Sequence, residues 1–243
     1  MDKPTLAELK KFTPTTYVRF IKYLRHIYKV VPFCEMPVGD VPYLVLRHDV
    51  DVSVVSALKM AEIEGKMGVK STYFILLSSG HYNPFEGRNL AMIRKISGLG
   101  HEIGLHYDVE QYGRYAEDYL QALKSELQVL ESIVGKEIRA ISAHAPRNPS
   151  SFLECSGYIN ADDPQLRDIY VHDSQRLWTI KSLNTLLNNP PKRVQLLIHP
   201  CHWSGAKGPK TKLDMVLLDV LLLLNRLRTL FIRVVHSRES CEN

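Results

Sequence analysis

Short, continuously apolar segments recur along this chain and alternate with helical segments. Residues 43–46 and 194–198 are apolar at nearly every position, which is typical of strands buried on both faces of a parallel sheet. Residues 54–66 and 111–134 instead repeat their apolar positions at helical spacing. This alternation predicts a mostly parallel α/β sheet. About seven strands fit such a chain, so we expect a distorted or partly open (β/α)7 barrel and, as the alternative, a doubly wound open sheet.

The same pattern predicts one domain over residues 1–243, without repeats or a long linker. A helical extension over about 1–40 comes first, and an amphipathic helix over about 212–236 comes last. The predicted strands lie at 43–46, 71–76, 101–105, 138–142, 158–160, 169–171 and 194–198, and the predicted helices between them at 54–66, 89–96 and 111–134.

Polar residues that can bind a metal ion or move a proton follow the carboxyl ends of five predicted strands. In an α/β barrel these ends form one rim, where residues distant in sequence meet. One such residue is expected by chance, but repetition at five strands predicts a shared site. The residues are Asp49 and Asp51, His106, His144, Asp173 and His199.

The two aspartates are two positions apart, so on an extended strand end their side chains point the same way. Neighbouring carboxylates repel each other unless a cation or a basic group compensates them. Asp51 and Ser53 also precede a predicted helix, so helix capping is the structural alternative. Arg47 and His48 stand next to the pair and favour a functional cluster.

The histidines allow two kinds of chemistry. A neutral imidazole is a common zinc ligand, and catalytic zinc sites use about three protein ligands, which makes His106 and His144 candidates. His199 ends an apolar strand and is a candidate general acid or ligand. Asp173 is a candidate for orienting a rim histidine or arginine. His101 begins its predicted strand, so we expect it on the opposite rim with a structural role.

Composition excludes several classes of protein. The four cysteines are scattered and form no Cys-x-x-Cys pair, which argues against a thiolate zinc site and a disulfide framework. The net charge of +5 comes without a Lys/Arg run, so nucleic-acid binding is not expected. The first residues lack an apolar signal core, and the apolar run at 213–235 carries several charges. We therefore expect a cytoplasmic protein without a transmembrane segment.

Three motifs resemble those of the polysaccharide deacetylase family, carbohydrate esterase family 4. The segment 46–51, Leu-Arg-His-Asp-Val-Asp, resembles the Asp-x-Asp first motif of its divergent branches. Gly-His-Glu-Ile-Gly-Leu-His at 100–106 is similar to the second motif, and Leu-Ile-His-Pro at 197–200 to the last. The resemblance covers about 43–203, most of the chain.

The resemblance implies a role for each matching residue. Asp49 corresponds to the general base, and Asp51 to a metal ligand. His106 corresponds to a second ligand, and His199 to the group that protonates the leaving amine. The implied cofactor is a divalent metal ion, with Zn²⁺ as the first expectation.

The sequence departs from the family pattern at two places. Glu110 stands where typical members have a second ligand histidine, so the third ligand is either Glu110 or His144; the position of His144 at a strand end favours the histidine. The third motif, which usually has Arg and consecutive prolines, is reduced to His-Ala-Pro-Arg at 144–147. Arg147 is the first candidate for holding the base in position, and Arg47 is the alternative.

The function implied is removal of an acetyl or formyl group from the nitrogen of an amino sugar. The motifs resemble proteins of bacterial surface-polysaccharide synthesis, including O-antigen, which implies a nucleotide- or lipid-linked sugar as substrate. A homo-oligomer is possible. The alternatives are a hydrolase of a different sugar amide, a sugar-binding protein that has lost catalysis, and an interaction protein that uses its apolar C-terminal helix.

Overall fold

The computed structural model describes residues 2–113, 117–146 and 152–203. Eight strands in these ranges form one sheet, and every paired neighbour is parallel. The strands are β1 Lys29–Val31, β2 Tyr43–Val50, β3 Thr72–Leu76, β4 Glu102–Tyr107, β5 Ala140–Ala143, β6 Ile159–Asn160, β7 Ile169–His172 and β8 Arg193–Ile198. The helices are α1 Leu6–Leu9, α2 Pro14–Leu24, α3 Val54–Lys66, α4 Gly87–Gly98, α5 Val109–Tyr112, α6 Tyr119–Val134, α7 Ile180–Asn188 and α8 Pro200–Trp203.

The strand order is that of a barrel. Strands β2 to β6 lie side by side in chain order, and β8 returns to the other edge of β2 with β7 beyond it. Going round the sheet, sequential strands are therefore neighbours everywhere except at the gap between β6 and β7. A doubly wound sheet would instead reverse its strand order near the middle.

The sheet is curled strongly enough to bring its two edges together. Gln195 of β8 donates a hydrogen bond of 3.0 Å to the carbonyl of Ala161, just after β6. Those strands lie five places apart, which would separate them by about 24 Å in a flat sheet. Arg167 bridges the gap, bonding both Ala161 O at 3.1 Å and Gln195 Oε1 at 2.6 Å. The expected partly open (β/α)7 barrel is confirmed, with β1 as an additional strand beside β2.

Apolar side chains pack both outside and inside this curled sheet. Outside, α2 buries Tyr17, Phe20 and Leu24 in a cluster with β2 and β8. Inside, Val45 and Phe74 belong to a smaller cluster near the amino-terminal ends of the strands. The carboxyl-terminal rim is left for polar side chains.

Local signals explain most of the helix boundaries. Thr13, Ser53 and Asp118 accept hydrogen bonds from backbone N–H groups at the starts of α2, α3 and α6. Gly135 ends α6 with φ 73°, the left-handed conformation that glycine adopts without strain. The predicted single helix over 111–134 is wrong, because Asp118 caps a new helix there and α5 ends at Tyr112.

Other expectations need correction or lie outside the described ranges. The N-terminal extension is not wholly helical, since β1 lies within it and pairs with β2. Helix α7 was not predicted; it buries only Leu183, Leu186 and Leu187. The predicted helix over 212–236 lies outside the described residues. Within those ranges, the helices are too short or too polar to cross a bilayer.

Candidate active site

Strand β2 and the residue that follows it supply three polar side chains to the rim at alternate positions. Arg47, Asp49 and Asp51 are spaced by two, so they face the barrel interior together. Between them, His48 faces outwards and bonds the buried Glu64 of α3 at 2.7 Å. The strand is thus held by polar contacts on both faces.

The three side chains predicted to bind metal converge. Asp51, His106 and His144 each offer a ligand atom, and these atoms lie within 4.8 Å of one another. Asp51 Oδ1 is 3.4 Å from His106 Nε2, and the two imidazoles meet edge to face with centroids 5.2 Å apart. They come from the ends of β2, β4 and β5, so the curl of the sheet produces the cluster.

The donor atoms suit a divalent cation. His106 Nδ1 faces the carbonyl of Ser142 at 3.1 Å, so that nitrogen carries the proton and Nε2 presents its lone pair. Burial lowers the pKa of His106, which favours the neutral imidazole that a metal requires. Asp51 Oδ1 is buried and has no hydrogen-bond partner. An unpartnered buried carboxylate oxygen beside a free imidazole lone pair is unfavourable unless a cation lies between them.

His144 has an outer partner. Its Nδ1 lies 3.3 Å from Asp108 Oδ2, and Asp108 also caps α5. A carboxylate on the far nitrogen orients a ligand histidine and leaves Nε2 for the metal. Asp108 was missed by the sequence analysis, although it stands two positions after His106 and therefore on the same side of the chain.

Asp49 is held in a fork by Arg47. The guanidinium donates from Nε to Asp49 Oδ1 at 2.8 Å and from Nη2 to Oδ2 at 2.9 Å. Burial alone would raise the pKa of Asp49, but the charge of the Arg47 guanidinium holds it well below its usual range. Asp49 is therefore ionised at neutral pH, and its Oδ2 lies 3.5 Å from His106 Nε2.

A close packing contact supports this arginine. The Arg47 guanidinium lies over the Phe74 ring, 5.1 Å from its centroid. The ring occupies the space beside Gly104, where a Cβ would stand 2.5 Å from a ring carbon. Gly104 is thus needed for close approach, and a side chain there would displace the ring beneath Arg47.

Asp173 holds His199 beside the metal-ligand cluster. Asp173 Oδ1 accepts from His199 Nδ1 at 2.7 Å and from its backbone N–H at 3.0 Å, while Oδ2 accepts from Trp203 Nε1 at 2.7 Å. Burial alone would lower the pKa of His199, but Asp173 and then Asp51 raise it to about 9. His199 is therefore protonated at neutral pH, with Nε2 3.6 Å from Asp51 Oδ2.

A second group of possible ligands consists of Asp173, His199 and His202. The short distance between Asp173 and His199 Nδ1 is that of a charge-assisted hydrogen bond, and both carboxylate oxygens already accept N–H groups. The contacts therefore describe an ion pair that orients His199. His202 Nδ1 lies further off, 3.4 Å from Asp173 Oδ2.

The structure describes three of the other candidate residues, Glu110, Ser53 and His101. Among the described residues, the ligand cluster contains His144 and not Glu110. Arg147 lies outside the described residues, and Arg47 makes the contact with the base. Ser53, not Asp51, caps α3, so the capping alternative does not explain Asp51. His101 is buried against Ser71 and the carbonyl of Ala61, away from the cluster.

Asp162, after β6, is a further residue that the sequence analysis missed. It contacts Arg47 Nη1 at 3.0 Å and the backbone N–H of Ala143 at 2.7 Å. The rule used for the other strands, that a polar residue follows the strand end, also applies here. Because the predicted strand 158–160 has only three residues, the sequence analysis did not consider the polar residue that follows it.

No family model matches the sequence, and no curated protein matches it. Similar solved structures include a polysaccharide deacetylase from Bacillus cereus, with 14% identity over 68% of this chain and 82% of that chain and a TM-score of 0.49. The chitin deacetylase of the fungal pathogen Colletotrichum lindemuthianum has 18% identity over 79% of this chain and 85% of that chain, with a TM-score of 0.47.

A CE4 family pseudoenzyme from Bacillus anthracis is also similar, with 15% identity over 77% of this chain and a TM-score of 0.45. This chain spans 63% of the length of that protein. These similar structures thus include two deacetylases and a pseudoenzyme. Likenesses at this level leave the activity to be argued from the side chains.

Proposed function

We propose that this protein is a metal-dependent hydrolase that removes an acetyl or formyl group from the nitrogen of an amino sugar. One observation carries the proposal. The Asp51, His106 and His144 cluster lies beside an ionised carboxylate, Asp49, and a protonated imidazole, His199. Two titratable groups whose pKa values are pushed apart at one site are typical of a base and an acid.

The proposed metal ligands are Asp51, His106 and His144. Two imidazoles and one carboxylate match the ligand set of catalytic zinc sites, which keep a position open for water or substrate. When bound, such an ion lowers the pKa of its water and polarises the acyl oxygen. Zn²⁺ is the ion to test first.

The proton transfers belong to the flanking residues. Asp49 takes a proton from the attacking water, and Arg47 keeps its two oxygens in a fixed orientation. His199 gives its proton to the amine nitrogen, which is otherwise too basic to leave. Asp173 holds His199 through Nδ1, so that Nε2 carries the proton that is transferred. In this proposal Arg47 has the role that the sequence analysis first gave to Arg147.

As the substrate, we propose an amino sugar of a bacterial surface polysaccharide such as O-antigen, linked to a nucleotide or a lipid and modified in the cytoplasm. This rests on the motifs Arg-His-Asp-Val-Asp and Leu-Ile-His-Pro. Trp178 and Trp203 are buried in the core against Phe12, so neither offers an exposed ring on which a sugar could stack.

The test combines metal analysis with product analysis. The purified chain is loaded with Zn²⁺, Co²⁺ or Ni²⁺ and incubated with N-acetylated and N-formylated amino sugars, free and nucleotide-linked. We expect one bound ion per chain and release of acetate or formate. Asp49→Asn should keep the ion and lose activity by orders of magnitude.

Two outcomes would contradict the proposal. A chain that binds no divalent ion and hydrolyses none of these amides would favour a binding protein. Release of ammonia instead of a carboxylic acid would indicate hydrolysis of a primary amide on a sugar acid.

A further inference from the structure

Asp162 contacts residues that hold the proposed base and one proposed metal ligand, although it is not itself part of the site. We propose that Asp162 is a positioning residue that fixes the proton acceptor Asp49 and the third metal ligand His144 relative to each other. The proposal rests on the proposed function, since it assigns Asp162 to the same reaction. Asp162 itself lies behind Arg47 and the β5 backbone, one layer away from the metal-ligand cluster.

The two oxygens of Asp162 bind different parts of the site. Oδ1 accepts from Arg47 Nη1 at 3.0 Å, and Arg47 in turn holds Asp49. Oδ2 accepts from the backbone N–H of Ala143 at 2.7 Å, and Ala143 directly precedes His144. One rigid carboxylate therefore links the base to a metal ligand, although Arg47 and Asp162 lie 115 positions apart.

Ser142 closes the link. Its hydroxyl accepts a hydrogen bond from Arg47 Nη2 and donates one to Asp162 Oδ2 at 3.3 Å. The Ser142 carbonyl faces His106 Nδ1. The strand end carrying Ser142 thus contacts the base-holding arginine with its side chain and one ligand histidine with its backbone.

The contacts of Asp162 lie where β5 is only briefly paired with β6, next to the gap in the sheet. Strand β6 pairs with β5 through two residues only and borders the gap in the sheet. On its β6 side the end of β5 therefore has few backbone hydrogen bonds, whereas on its β4 side the His144 N–H bonds the carbonyl of Tyr107 at 2.7 Å. Asp162 is mostly buried, with 13% of its side chain exposed, so its contacts with Arg47 and Ala143 are shielded from water and hold their geometry.

Arg47 also depends on Asp162 for its orientation. The guanidinium donates hydrogen bonds from Nε and Nη2 to Asp49 and from Nη1 to Asp162. Two carboxylates therefore bind it along two different edges. Without Asp162, Nη1 loses its charged partner, and the guanidinium is held only by its fork with Asp49, the Ser142 hydroxyl and the Phe74 ring. Catalysis is sensitive to such shifts, because displacements of about 1 Å alter rates by about 100-fold.

The test compares Asp162→Asn with Asp168→Asn. Asp168 makes the same kinds of contact, with the Arg193 guanidinium at 2.8 Å and the Arg193 backbone N–H at 2.9 Å. It lies at the start of β7, on the rim opposite the site. Both variants therefore lose the same type of ion pair, but only one of these pairs touches the site.

In the zinc-loaded protein, Asp162→Asn should lower kcat by about 10- to 100-fold and weaken Zn²⁺ binding by a similar factor, as loss of outer partners of ligands does. KM for the amino-sugar amide should change by less than about threefold. Zn²⁺ affinity is measured by chelator competition, which does not depend on turnover. Asp168→Asn should leave both quantities within about twofold of wild type, whatever its effect on Tm.

A folded Asp162→Asn variant with the kcat and Zn²⁺ affinity of wild type would overturn the proposal. So would equal losses in both variants, which would indicate a general effect of stability. If Asp162→Asn fails to fold, Ser142→Ala removes the bridging hydroxyl alone and should lower kcat and Zn²⁺ affinity by about three- to tenfold; no change there would also overturn it.

Failure of the proposed function gives a different result. A wild-type chain without hydrolysis still has the contacts of Asp162, and the histidine ring resonances in ¹H–¹⁵N spectra report them. The His144 resonances should shift in Asp162→Asn and stay in place in Asp168→Asn. Unshifted His144 resonances in Asp162→Asn would refute positioning, whereas the absence of hydrolysis in wild type refutes the activity.

Discussion

Replacing Asp173 with asparagine tests the acid side of the proposed reaction. The carboxylate accepts His199 Nδ1, the His199 backbone N–H and Trp203 Nε1. An asparagine amide must turn its NH₂ group towards one of these donors, and it carries no charge. The variant therefore removes the interaction that most raises the pKa of His199.

The size of the effect follows from the His199 pKa of about 9, against 6.5 for an unperturbed imidazole. The difference corresponds to about 3 kcal/mol in favour of the charged form. If the pKa returns to about 6.5, the protonated fraction at pH 8 falls from about 90% to about 3%. At pH 6 both proteins remain mostly protonated. The activity ratio of wild type to variant should therefore grow by about 20- to 30-fold between pH 6 and pH 8.

The assay is kcat/KM for release of acetate or formate across pH 5.5–9.5, with Asp168→Asn as the control because its contacts lie on the opposite rim. The basic limb of the profile should move to lower pH in Asp173→Asn and stay in place in the control. Parallel profiles for wild type and Asp173→Asn would refute the role of His199 as an acid whose pKa Asp173 raises.

Three further changes test other parts of the site and the fold. Arg47→Lys should lower kcat by about 100-fold, because an ammonium cannot bind both Asp49 oxygens in a fork. The effect is measured by steady-state kinetics at saturating metal. Unchanged turnover would show that the two hydrogen bonds from Arg47 to Asp49 are not needed. His144→Ala should lose bound Zn²⁺ in metal analysis while Glu110→Gln keeps it, and the reverse result would make Glu110 the ligand. Glu64→Gln should lower the free energy of unfolding in urea by about 3–5 kcal/mol. Burial alone would raise the pKa of Glu64, but His48 lowers it to about 2, so this stabilisation is present above pH 4.5 and is lost as the pH falls towards 2; a loss below about 1 kcal/mol would contradict the buried pairing.

The strands and the rim could be predicted because they follow from local patterns. Segments such as 194–198 are apolar at nearly every position, which is typical of a strand covered on both faces. Parallel strands bring their carboxyl ends to one edge, so Asp51, His106 and His144 could be expected together without knowledge of any distance.

The supporting residues could not be predicted in the same way, because their contacts depend on how tightly the sheet curls. Arg47 meets Asp162 across the barrel, and Gln195 meets Ala161 across the gap. A local pattern carries no information on curvature. For the same reason, the sequence analysis preferred Arg147 to Arg47. The preference rested on the position of Arg147 in the third motif, and the sequence does not show which arginine side chain reaches Asp49.

The side chains of β2 point alternately to the inner and outer faces of the sheet, which explains how one strand provides several residues of the site. Its inward positions hold Arg47 and Asp49, and Asp51 continues the same spacing just beyond the strand end. The outward His48 is tied to Glu64, which also accepts from Tyr73 of β3 at 2.9 Å. A carboxylate on the outer face therefore joins β2 to α3 and β3, whereas on the inner face Arg47 joins it to β5 and β6. Because a shift of one residue would exchange these two faces, the buried polar pairs on both sides fix the register that places Asp49 and Asp51 at the rim.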